Sequence, residues 1–109
     1  MKETFGEFIR KNRKVRDLTQ TKLAAFIDID AAALSKIENG KTVLNEEKLP
    51  ALAKLFAMDL KTIKEEYFSE KIANVLYKNK CSENTLVLAE QKLQYIRNKK
   101  VKQTTLKLE

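Results

Sequence analysis

Apolar positions along the chain recur at helical spacing, and each run is opened by a residue suited to cap a helix. Phe5, Phe8, Ile9 and Val15 form one stripe behind Thr4 and Glu7, a capping box, and predict a first helix to about Arg16. Asp17-Leu18-Thr19 breaks it. Thr19 caps a second short helix from Gln20 to about Ile27, with Leu23, Ala24 and Ile27 inward. Asp30 caps a third, Ala31 to Glu38, with Leu34 and Ile37 inward, and Asn39-Gly40 ends it with a glycine at the left-handed position. After the loop "KTVLN", Asn45 caps a fourth helix whose buried side is Leu49, Leu52, Ala53 and Phe56. Pro50 either sets that helix's true start near Lys48 or bends its first turn. Asp59 caps a fifth helix carrying Leu60, Ile63, Tyr67 and Phe68, with helicity running on through Leu76. "YKNKCSEN" is the next break. A last helix from Glu83 to Asn98 presents a seam of Leu86, Ala89, Leu93 and Ile96, and "KKVKQTTLKLE" is expected to be a mobile basic tail.

The pattern is all-α, and composition agrees: 109 residues, two glycines, one proline and 7% aromatics. Net charge is +7, spread as +3, +1 and +3 over residues 1–44, 45–80 and 81–109, so no single tail holds it. Such an excess favours a polyanionic partner. With no histidine and only Cys81, neither an internal disulfide nor a His/Cys zinc site can be assembled. No signal-peptide h-region and no apolar run of membrane-spanning length is seen, so the expectation is a soluble, cytoplasmic protein without a membrane partner.

Two short helices that cross steeply need a small residue at the contact and a turn residue tolerant of positive φ. Ala24 and Asp28 stand at those places, with Leu23, Ile27, Ile29, Leu34 and Ile37 facing the core. Here residues 5 to 68 resemble the Cro-like, or XRE, helix-turn-helix family of phage repressors and bacterial regulators. The resemblance rests on "FGEFIRKNRKVRDLTQTKLA", "IDIDAAALSKIENGK" and "EEKLPALAKLFAMDLKTI". It implies a five-helix phage-repressor-like DNA-binding bundle over residues 1–68, with residues 69–109 a C-terminal helical extension.

The resemblance also implies roles for residues that match the family's pattern. Gln20 would set its amide against a phosphate, and Arg13 and Glu38 would form a buried ion pair. Asn39, Gly40, Lys41 and Thr42 would approach the DNA backbone. The first residues of the third helix would face base edges in the major groove: Ala31 and Ala32, then Ser35 and Lys36. Alanine packs on thymine methyls and lets the helix come close, while Lys36 can reach guanine. This code is thin, so two half-sites and a homodimer are expected; the alternative is that the alanines serve helix formation only. Arg10, Lys11, Lys14 and Lys22 read equally as solvated faces. Three residues depart from the family pattern: Asn12 at an apolar position, Ala57 for glycine, and Phe26 at a polar position, where it would need cover from the last helix or a second subunit.

The extension leaves two readings open. Its seam is too short to stand alone, and it packs either on the fifth helix or on a second copy. The chain also looks like small regulators beside restriction–modification genes, or antitoxins, which would make a toxin or other protein the partner of residues 69–109. Catalysis is not expected: there is no histidine, no phosphate loop and no partner for Cys81, and the paired glutamates at 46–47 and 65–66 are suited to solvation. No cofactor or metal is called for.

Overall fold

Three helix starts follow one local rule. Thr4, Thr19 and Asp30 hold extended backbone, and each side chain accepts a hydrogen bond from the amide three residues on: Glu7 at 3.1 Å, Lys22 at 3.1 Å and Ala33 at 2.6 Å. In the computed structural model, which describes the backbone of residues 3–108 and the side chains of residues 3–100, these caps open α1 (Phe5–Val15), α2 (Gln20–Phe26) and α3 (Ala31–Glu38). A single 3-10 turn, Glu46–Lys48, precedes α4 (Leu49–Phe56); α5 (Leu60–Lys78) and α6 (Asn84–Leu108) complete the chain. The 3-10 turn resolves the Pro50 alternative. Asn45 caps that turn through the Glu47 amide, and the proline falls in the first turn of α4, where its missing N–H has no helical acceptor to lose.

The chain divides into two compact units, residues 1–72 and 73–109. The first holds the core. Ile9, Leu23, Ile27, Leu34, Leu49, Leu52, Phe56 and Ile63 are its fully enclosed side chains, each worth about 1.5–3 kcal/mol of burial. Phe5, Phe8, Leu44 and Tyr67 close the core, with the Tyr67 ring edge-on to Phe5 at 5.2 Å. The Phe5 amide, an orphan donor at the start of α1, donates to Glu70 Oε1 at 2.9 Å, tying α5 to α1.

Left-handed backbone occurs where the turns need it: Asp17, Asp28, Ala57 and Gly40 have φ of 53°, 60°, 53° and 75°. Asp28 therefore does hold the position expected of it between α2 and α3. Ala57 adopts the same conformation at the end of α4 without glycine's freedom.

Four expectations are corrected. Asn12 does not loosen α1: it is buried, its amide donates to Phe8 O at 2.9 Å, and its Oδ1 accepts from Arg16 at 3.2 Å. Arg16 in turn caps α4 by donating to Phe56 O at 2.6 Å with its guanidinium over the Phe56 ring, so the polar residue at an apolar position serves a satisfied network. Val15 is 73% exposed rather than inward, because α1 ends there and turns away. Phe26 is 48% exposed, against the expectation that the chain's last helix covers it. Finally, the basic segment after Asn98 is helical backbone to Leu108 rather than a loose tail.

The second unit carries the end of α5 and α6. Lys80 takes φ 53°, and the Cys81 amide returns to Leu76 O at 2.9 Å, closing α5 with a left-handed cap. Among the described residues no helix is long and apolar enough to cross a membrane.

Candidate nucleic-acid interface

Helical geometry sorts α3 into two faces. Leu34, Ile37 and Glu38 point into the unit, which leaves Ala31, Ala32, Ser35, Lys36 and Asn39 along the opposite arc. Ala32, Lys36 and Asn39 are exposed, and Ala31 and Ser35 half-buried. The helix ends in a tight return: the Gly40 amide donates to Ile37 O at 3.1 Å, and those of Lys41 and Thr42 to Lys36 O at 2.9 and 3.4 Å. Gly40, with φ 75°, makes this return possible and brings Lys41 and Thr42 to the end of α3.

Leu44 then plunges into the core, and Tyr67 of α5 donates its hydroxyl to Leu44 O. The loop bearing Lys41 and Thr42 is thus anchored at both ends. Tyr67→Phe is expected to remove about 1 kcal/mol in urea unfolding, with helix content unchanged by circular dichroism.

Beneath the other side lies the Arg13–Glu38 pair. The guanidinium meets the carboxylate with two bonds, Nε to Oε2 at 2.8 Å and Nη2 to Oε1 at 3.0 Å, and spends Nη1 on Leu18 O at 2.9 Å. Gln20 Nε2 donates to Glu38 Oε1 at 3.0 Å, and Arg10 Nε stands 3.9 Å from the same oxygen. One carboxylate therefore joins α1, the start of α2 and the end of α3. Burial pushes the Glu38 carboxyl upward, but hydrogen bonds from Arg13 and Gln20 and the charges of Arg13 and Arg10 outweigh it and hold the group below its ordinary value. Gln20 is consequently not an idle amide. One of its two hydrogens is committed to Glu38, which fixes the direction of the other.

Sequence reasoning missed Gly6, whose signal was a lone glycine inside an apolar helical stripe. A Cβ there would stand 2.2 Å from Ile37 O and 2.9 Å from Glu38 O, so α1 crosses the carboxyl end of α3 backbone to backbone. It also missed Tyr67 as the anchor of the loop and Glu70 as the cap of α1. A tyrosine or glutamate on an amphipathic helix carries no local mark of so distant a partner.

Residues 9–63 match the model of the helix-turn-helix family. The HTH-type transcriptional repressor RghR of Bacillus subtilis (strain 168) is 33% identical over 111 residues, which takes in 86% of this chain and 80% of RghR. Among solved structures, the P22 c2 repressor in complex with synthetic operator 9T superposes with a TM-score of 0.52 at 29% identity, covering 57% of this chain and 94% of that one. The clp gene regulator ClgR from Corynebacterium glutamicum shares the fold, with a TM-score of 0.51 at 20% identity, over 69% of this chain and 88% of its own.

Proposed function

Because the chain belongs to the Cro-like (XRE) helix-turn-helix family of DNA-binding transcriptional regulators, which are not enzymes, we propose that it represses transcription by laying α3 in the major groove of double-stranded DNA as a homodimer. The observation that carries this reading is the outer arc of α3. Lys36 and Asn39, with Lys41 just beyond, make no ion pair and no side-chain hydrogen bond among the described residues, and the arc holds no acidic side chain. Ala31 and Ala32 pack on thymine methyls; Ser35 and Lys36 reach the next base edges, with Lys36 on guanine O6 or N7. Asn39, Lys41 and Thr42 contact phosphates, as does the second hydrogen of the Gln20 amide held by Glu38. The site acts in the cytoplasm and calls for no cofactor.

Two alanines and one lysine specify few bases, and a pair of half-sites about 34 Å apart supplies the remaining discrimination. Selection from a random duplex pool is expected to enrich an inverted repeat with thymine-rich half-sites at that spacing. Ala32→Asp, which sets a carboxylate against the groove, is expected to lose the enrichment while keeping its thermal midpoint within a few degrees. A pool that enriches no repeat with the wild-type chain contradicts the reading.

A further inference from the structure

The proposed pairing of half-sites requires a surface on which two chains meet, and we propose that α6 supplies it, with a second copy of this chain as the occupant. The inference rests on the dimer reading above and adds where the dimer is made. On α6, Leu86, Val87, Leu88, Leu93, Tyr95 and Ile96 are all 44 to 67% exposed. Not one described side chain from residue 73 to residue 100 is buried. A lone helix in water has marginal stability whatever its propensity, and one that displays this many large apolar groups is stable only against a partner.

Three observations select a second copy. Leu86, Ala89, Leu93 and Ile96 alternate three and four residues apart, the a/d spacing of a seam that packs against another like it. The six exposed side chains leave on the order of 600 Å² per chain, so two copies bury about 1,200 Å², where the range of stable interfaces begins. Charge points the same way. The seam positions from Leu86 to Ile96 are uncharged, and Glu90, Lys92 and Arg97 flank them with both signs, so two identical helices offset each other's charges where a single-signed partner would not. Val87, Leu88 and Tyr95 widen the stripe beyond the seam, which lets each α6 touch more than one neighbouring helix in the dimer.

Sedimentation equilibrium of the full chain without DNA tests this. The wild-type chain is expected to run at twice 12.6 kDa. Leu93→Glu and, separately, Ile96→Glu are expected to run as monomers while keeping the unfolding midpoint of the residue 1–72 core. Leu93→Ala, which removes bulk without adding charge, is expected to weaken dimerisation about tenfold and remain folded. Val15→Glu, at an exposed apolar position on α1, is expected to leave the dimer intact. A wild-type monomer overturns the inference, and so does a dimer that survives both glutamate variants. The latter places the contact elsewhere and leaves the DNA reading standing. Conversely, a dimer abolished by both variants in a chain with no sequence preference for DNA upholds the α6 interface and overturns the DNA reading alone.

Discussion

Replacing Glu38 with alanine is expected to remove about 3–5 kcal/mol of stability, a large share of what a domain of this size possesses. The Glu38 side chain is fully enclosed and Arg13 nearly so, with side-chain exposures of 0% and 10%. Deleting the carboxylate strands the guanidinium in a space water does not fill, with only Leu18 O left to receive it. Gln20 loses its acceptor at the same time. Urea unfolding reads the stability loss, and Glu38→Gln is expected to lose less, because it keeps an oxygen that can accept from Arg13. The same group predicts an acid limb. The folded-state carboxyl lies below its ordinary value of 4.5, so the pair's contribution is complete above that pH and disappears as pH falls through the lower folded-state value. Stability measured from pH 6 downward should therefore drop below about pH 4.5, and Glu38→Gln should flatten that part of the fall.

Gly6→Ala is the second large effect. The methyl would press on two carbonyl oxygens of α3, at 2.2 and 2.9 Å, and both belong to backbone. No rotamer relieves such a contact, so α1 and α3 must separate, which places the cost at the upper end for overpacking, about 3 kcal/mol. This contact also registers the reading helix. Ile37 and Glu38 carry the two carbonyls, and the Glu38 side chain holds Arg13 and Gln20. A Gly6→Ala chain that still folds is therefore expected to bind DNA more weakly than its stability loss accounts for, when the folded fraction is measured by circular dichroism and binding by anisotropy in the same buffer. Ala at this position with wild-type stability would refute the close approach.

How much of this was legible in the sequence depends on how far each cause lies along the chain. Thr4, Thr19 and Asp30 announce their helices because a cap bonds an amide three residues away, and the local pattern contains both partners. Asp28 could be read as left-handed because two helical stripes leave one residue to turn between them. The Arg13–Glu38 pair was visible only through family resemblance, and the structure supplies what resemblance left out: Gln20 and Arg10 converge on the same carboxylate. Asn12 misled because a polar residue on an apolar stripe looks like a weakness until Arg16 and the Phe56 carbonyl are seen around it. Glu70 escaped notice for the opposite reason: it satisfies the Phe5 amide across 65 residues of sequence. Beyond Asn98 apolar periodicity stops, yet lysine, glutamine and leucine are good helix formers, so propensity carries α6 to Leu108 without the stripe that pattern reading looks for.

The central claim is that the alanine-headed α3 reads sequence rather than merely resting on phosphates. Fluorescence anisotropy with the DNA upstream of the protein's own gene and with a scrambled duplex, each at two salt concentrations, tests it most directly. Phosphate contacts weaken steeply with salt for both duplexes alike, whereas base contacts survive as a ratio between them. The account predicts that the upstream duplex keeps its preference at the higher salt and that Ala32→Asp erases it. Equal binding to both duplexes, falling away together as salt rises, would contradict it.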